Sequence, residues 1–290
     1  RGLLVLLGSV EAWARQQIQD APPAYPAPPV VCGHPAPDAE RADASGARLD
    51  ALPSHLCVAV QDLEKASAMF SACFGIDRGP ITGGTVTSPD QARGGIRRRA
   101  FRLGSFVVEM IQPTEGPSAF RDFLSTSGQG IHHIGLRSRS SLEDQMRLLE
   151  RRGGRRTMGS LEESYGLYDF SDQFGTTLEV VTPEVETMSR GSVPARLREK
   201  GGLAHHSLCE VGILVRDVER AAAHFVEVVG IAPQPVRTAT VVFPGGRRDG
   251  TSVRVVSVRQ GQLATVLIEP IGASPWRDFV EARGNAMHPV

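Results

Sequence analysis

From residue 53 onward short apolar runs alternate with amphipathic ones, and the alternation recurs along the chain. "HLCVAV" (55–60) leads into "DLEKASAMFSACFGI" (62–76), and "EVGILV" (210–215) leads into "DVERAAAHFVEVVGI" (217–231). The two longer segments agree at seven of fifteen positions. Each apolar run predicts a strand. In the first amphipathic segment Leu63, Ala66, Met69, Phe70 and Phe74 recur at helical spacing, which predicts a helix with one face on a sheet. "FRLGSFVVEMIQP" (101–113) predicts two strands around a Leu103-Gly104 turn, and "YGLYDFSDQFGTTLEVV" (165–181) a strand, a turn from Asp172 to Gly175 and a strand. "SAFRDFLSTSGQGIHH" (118–133) has its counterpart in "SPWRDFVEARGNAMHP" (274–289), and a weaker copy opens at "HIGLRS" and runs into the helix "SLEDQMRLLERRG" (141–153).

The recurring unit is therefore a strand, a helix and three strands. One such unit leaves a half-open sheet, so two must pair to enclose a cup. The expected fold is α+β, with paired βαβββ modules forming a cupped, mostly antiparallel sheet, a third module, and the start of a fourth. Residues 53–184 make the first pair and 185–204 a polar linker. Residues 205–290 make a second, incomplete domain, whose missing module is cut off or supplied by a partner chain, as in a homodimer. Residues 1–52, rich in Pro, Ala and Asp after position 20, read as a flexible lead-in.

Composition narrows the function classes without choosing one. A 290-residue chain with 32 basic and 32 acidic side chains gives no reason to expect nucleic acid or an anionic membrane as partner. The four cysteines are scattered, with no CxxC pair, which excludes a disulfide framework or a zinc ribbon. "RGLLVLLGSVEAWARQ" has an arginine, an apolar run from Leu3 to Val10 and a small-x-small Ala12-Trp13-Ala14, like the end of a secretory signal peptide, though Glu11 interrupts it. The cytoplasm is the expected compartment, and export is the alternative that this segment opens. No run approaches the ~20 apolar residues of a membrane span.

Chemistry concentrates at repeat-equivalent positions. In "GQGIHHIGLRS" (128–138) strand alternation puts His132 on the face of Ile134 and Leu136, expected to pack on a helix, and His133 on the face turned toward a cavity. Superposing the first two units aligns His55 with His133 at the start of the first strands, and Glu109 with Glu179 in the last strands. Each glutamate could be an edge carboxylate facing water, but both sit among apolar neighbours, where an ionised carboxylate is costly unless paired or metal-bound. Two imidazoles and two carboxylates converging in a cup suit one divalent ion: zinc, nickel, cobalt, iron or manganese.

"SHLCVAVQDLEKASAMFSACFGI", "GIHHIGL" and "DQFGTTLEVV" resemble the vicinal oxygen chelate superfamily, which includes glyoxalase I, methylmalonyl-CoA epimerase, extradiol dioxygenases and the fosfomycin- and bleomycin-resistance proteins. The resemblance implies paired modules with a divalent metal on His55, Glu109, His133 and Glu179. Across 105–133 the chain is similar to the epimerases, with "E-x-x-x-P", a helix and "GIHH"; the ligand set is also that of bacterial glyoxalase I. Both imply an isomerase or lyase in which the metal chelates substrate oxygens and a carboxylate moves the adjacent proton. Glu179 is the expected base and Glu109 the alternative. The epimerases share a further glutamate on the third strand of their first module; the matching stretch here, "GGIRRRAFRLG" (94–104), has arginines and no acid. Arg97 and Arg99 are the candidates to hold a small anionic substrate, unless the arginines form a solvated edge. Two other readings stay open: an extradiol-type dioxygenase, and a non-catalytic binding or resistance protein. In the second pair, Glu210 and Glu269 are read as the counterparts of His55 and Glu109, with no complete site expected.

Overall fold

The computed structural model describes residues 48–76, 78–103, 106–185, 208, 210–241 and 251–287. The lead-in up to Ala47, the N-terminal apolar run and residues 186–204 of the predicted linker lie outside them, as do His205, His206 and His288. Among the described residues no helix is long and apolar enough to cross a membrane.

The first module runs β1 (Ala51–Ala59), α1 (Leu63–Phe74), β2 (Thr82–Thr87), β3 (Arg93–Leu103) and β4 (Phe106–Pro113). A connecting helix, α2 (Ala119–Ser127), leads to the second: β5 (Gly130–Ser138), α3 (Leu142–Arg151), β6 (Arg155–Ser160), β7 (Tyr165–Asp169), the single turn α4 (Ser171–Phe174) and β8 (Thr177–Val181). The third follows as β9 (Glu210–Leu214), α5 (Val218–Val229), β10 (Arg237–Val241), β11 (Thr251–Gln260) and β12 (Leu263–Ile271), then α6 (Pro275–Arg283). This is the α+β architecture of βαβββ modules that the repeat predicts. The repeated helices are cut to length by their ends. Asp62 and Asp217 accept hydrogen bonds from the first-turn amides, and Gly75 and Gly230 close the helices in the left-handed conformation.

The first two modules share one eight-stranded sheet in the order β2-β3-β4-β1-β5-β8-β7-β6. Its centre is a local two-fold. β1 and β5 run antiparallel with His55 opposite Gly135 and Cys57 opposite His133, and each is flanked by a parallel strand, β4 beside β1 and β8 beside β5. Helices α1 and α3 cover the outer face: Phe70 and Phe74 of α1 and Leu148 and Leu149 of α3 are buried there. The inner face curls until the edge strands β2 and β6 touch, and Thr87 Oγ1 donates to Glu163 Oε1 at 2.8 Å across the seam. Phe120 of α2 packs among Cys57, Ile96, Ile111 and Leu167 on that inner side.

The third module forms its own sheet, β10-β11-β12-β9, and packs against the first pair. Phe225 of α5 meets Phe174 edge-on at 5.0 Å, and one apolar core runs from Leu149 and Phe174 through Ile213 and Val229. Polar ties reinforce the contact: Gln260 Nε2 donates to the Ala51 carbonyl at 2.7 Å and Arg152 to the Val228 carbonyl at 2.8 Å. Leu214 pairs with Ala286 as an isolated antiparallel bridge. Its repeat equivalent is Ala59 opposite Gly130, so the chain after α6 enters a strand where the second module does.

The register corrects one assignment. Gly212 lies beside Val266 as Cys57 lies beside Glu109, so Val266, not Glu269, is the counterpart of Glu109. Glu269 instead answers to Gln112: Val218 N donates to Glu269 and Leu63 N to Gln112, each at the head of its helix. Glu269 is also paired with Arg254 at 3.0 Å.

Phe225→Ala removes the ring that joins the two sheets and should cost about 3–5 kcal/mol, the range for deleting a buried aromatic side chain. Urea denaturation followed by circular dichroism should show the midpoint fall. An unchanged midpoint would mean that the third module adds nothing to the stability of the first pair.

Candidate metal centre

The cup floor is set by two adjacent rows of side chains across β4, β1, β5 and β8. One row reads Val107, His55, Gly135, Glu179; the next reads Glu109, Cys57, His133. Neighbouring strands lie about 4.8 Å apart, so His55 and Glu179 start two strands from each other with Gly135 between them. The absent side chain at 135 is what lets them meet. The His55 ring leans over it so closely that a Cβ there would lie 1.9 Å from Cε1. His55 Nε2 thereby comes to 2.7 Å from Glu179 Oε2, and His133 Nε2 to 3.6 Å from the same oxygen. One ligand atom from each of the three residues lies within 4.8 Å of the others.

Each histidine is braced by the residue before it in the chain. His133 Nδ1 faces His132 Nδ1 at 2.9 Å, and both rings are buried. Burial, with His133 beside it, holds the His132 pKa well below the usual imidazole value, so His132 is neutral. One of the two Nδ1 atoms donates to the other, and His133 Nε2, buried and without a hydrogen-bond partner, is the ring nitrogen left to the site. On the other side of the two-fold, Ser54 Oγ donates to the Gly135 carbonyl at 3.3 Å and lies 3.1 Å from His55 Nδ1, able to accept from it. Burial pushes the Glu179 pKa up, but His55 and His133 outweigh it and hold the carboxyl well below its ordinary range. An anionic carboxylate and two imidazoles, one of them with an orphaned buried nitrogen, make a donor set fit for a divalent transition metal.

Of the four expected ligands, Glu109 stands apart. It is buried and lines the same cavity of about 220 Å³ as His55, His133 and Glu179, yet its Oε1 accepts from Arg98 at 3.2 Å, outside the three-residue group. Glu179, the expected base, lies close to both histidines, in hydrogen-bond reach of His55 at 2.7 Å.

Arg97 and Arg99 do not face the cup. Arg99 donates to Ser67 Oγ at 2.6 Å and to Glu64 on α1, and Arg97 lies 3.7 Å from Glu64. The arginine lining the cavity is Arg98. The correction follows from strand parity: Arg97 and Arg99 share a face with Phe101 and Leu103, which are buried under α1. Those two apolar residues were the signal in the sequence. Sequence reasoning also passed over Ser54 and Gly135 and assigned His132 to helix packing. Part of that holds, since Phe120 and Phe123 of α2 lie 4.6 and 5.1 Å from the His132 ring. Tyr165 joins the cavity wall, its phenol pKa raised by burial, whereas Tyr168 is core and donates to Glu150.

Residues 54–166 match the model of the Glyoxalase/Bleomycin resistance protein/Dioxygenase superfamily, which bears out the resemblance carried by the motifs. No curated protein matches the chain. Among solved structures, a triple variant of 4-hydroxymandelate synthase from Streptomyces coelicolor shares the fold at 14% identity. The match covers 83% of this chain and 69% of that one, with a TM-score of 0.52. Methylmalonyl-CoA epimerase from Mycobacterium tuberculosis aligns at 22% identity over 47% of this chain and 91% of its own, with a TM-score of 0.35. An epimerase solved with methylmalonyl-CoA and ammonium aligns at 22% identity over 46% and 94%, with a TM-score of 0.33.

Gly135→Ala places a methyl group where the His55 ring lies, with no room for both. The variant should stay folded by circular dichroism and lose divalent-metal affinity by about tenfold or more, on the scale seen when ligand-orienting groups are disturbed. Competition with a chromogenic chelator measures it; unaltered affinity would show that His55 is not a ligand.

Proposed function

We propose that the first pair of modules is a divalent-metal-dependent isomerase or lyase that moves a proton at the carbon next to a carbonyl or thioester. His55, His133 and Glu179 would hold the ion. The observation that carries the reading is the second buried carboxylate: Glu109 lines the same small cavity as the three ligands, on the opposite side of the two-fold. A mere binding site has no need of such a group, whereas proton transfer requires a base within reach of the C–H. When bound, the metal would polarise the carbonyl oxygen and make the neighbouring C–H more acidic.

The protein's own residues then divide the work. Glu109 takes the proton and returns it to the same carbon or its neighbour. Glu179, engaged by two imidazoles, stays a ligand. Arg98 orients the Glu109 carboxylate and, with its guanidinium in the cavity, offers a fork for an anionic substrate group. Ile96, Ile111, Phe120, Met158 and Leu167 give the cavity apolar walls that exclude water from the reacting carbon. Its volume, about 220 Å³, is below the roughly 300–1,000 Å³ of ordinary ligand clefts, so only the reacting end of a larger substrate would enter.

One observation favours a second reading. Two histidines and one carboxylate with Glu109 turned aside also match the facial triad of iron(II) oxygenases, an extradiol-type dioxygenase among them. The same assay separates the two. The metal-loaded protein is incubated in heavy water with a panel of 2-oxoaldehyde thiohemiacetals and acyl-CoA thioesters, and with catechols under an oxygen electrode. Proton transfer predicts deuterium at the carbon beside the carbonyl, lost on chelation of the metal. Glu109→Gln should lower turnover by about 10²–10⁴-fold, the usual contribution of a positioned base, with metal content unchanged. Oxygen uptake with ring cleavage, and no exchange on any carbonyl substrate, would overturn the isomerase reading.

A further inference from the structure

The two halves of the sheet repeat, but the site they build is lopsided. His55 reaches Glu179 by leaning across residue 135 of the neighbouring strand. By the two-fold, His133 would reach Glu109 by leaning across residue 57, since Cys57 lies opposite His133 and beside Glu109. Gly135 leaves that path open on one side, with its absent Cβ inside the space of the His55 ring. On the other side the path is filled. Cys57 is fully buried, in contact with the apolar inner wall. The acid on the open side lies against both histidines, whereas the acid on the filled side lies on Arg98.

We propose that Cys57 is a steric wedge that determines the ligand set: it holds His133 and Glu109 apart, limits the metal to His55, His133 and Glu179, and leaves Glu109 to Arg98 and the substrate. The inference rests on the metal site of the proposed function and deepens it, because a glutamate kept off the metal is free to accept a proton. A thiol suits the task as a small apolar filler in a close-packed floor. Arg98 completes the device, since a buried carboxylate denied the metal still requires a partner. Symmetry alone would make Glu109 a fourth ligand, as the pairing of equivalent residues leads one to expect. The difference between a three-ligand and a four-ligand centre thus comes down to one side chain at the two-fold.

A double-mutant cycle on metal affinity tests it, with Zn(II) and Co(II) as the probes. Cys57→Gly opens the path, Cys57→Ala opens it partly should the glycine variant fold poorly, and Cys57→Ser keeps the filler. Each is combined with Glu109→Gln, and chelator competition gives the affinities. In the wild type and in Cys57→Ser, Glu109→Gln should change affinity by less than about twofold. In Cys57→Gly, affinity should rise by about tenfold, and Glu109→Gln should abolish the rise, as loss of a newly recruited ligand would. The visible spectrum of bound Co(II) should weaken in Cys57→Gly as coordination number increases, and recover in the double variant. If Glu109→Gln already lowers affinity tenfold in the wild type, Glu109 is a ligand and the wedge idea falls while the metal site stands. If affinity in both opened variants is indifferent to residue 109, the wedge idea falls too. Failure of the wild type to bind either metal would overturn the proposed function itself.

Discussion

The antiparallel pairing of β1 with β5 is the constraint on which the rest depends. It sets His55 opposite Gly135 and Cys57 opposite His133, and so fixes which side chains share the floor of the cup. A slip of either strand by one residue would turn its share of them to the outer face, under the helices. Such a slip is opposed from both sides, because Leu56, Ile134 and Leu136 alternate with the site residues and are buried in the core beneath α1 and α3. Chemistry and packing are thus read from the same strands with opposite parity.

From that pairing the electrostatics follow outward. Parallel partners bring the two glutamates alongside, one onto each flank of the two-fold, and edge strands curl over to seal the cavity. Three buried or half-buried charges, Arg98, Glu109 and Glu179, would be costly one at a time. They are tolerable because the arginine answers one acid and the histidines answer the other. Ser54 and His132 supply the outer support, each one residue before its histidine and in polar contact with that ring's Nδ1.

Much of the fold could be read from the chain because the repeat wrote it twice. Asp62 and Asp217, with Gly75 and Gly230, mark the same helix in two modules, and the strand that follows each turn recurs in kind. Single-residue parity and register were harder to read. The run Arg97-Arg98-Arg99 has no alternation of its own, so its facing was decided by Phe101 and Leu103 further along. Glu269 resembles Glu109 in its apolar setting and its nearby proline, but the ladder places it three positions along, where it caps a helix instead of entering a floor. His132 looked like core and is core, yet it also touches a candidate ligand, because two adjacent imidazoles can meet through their Nδ1 atoms. Contacts of that kind belong to rotamers, which periodicity does not report.

Residues of the candidate centre come from strands far apart in the chain, joined through two parallel pairings and one antiparallel one. Bringing residues of such long sequence separation together costs the entropy of closing the intervening loops. An unfolded or half-folded chain therefore offers scattered single donors and no chelate. An ion held by His55, His133 and Glu179 would meet its full donor set only in the finished cavity, so folding would come first and metallation second.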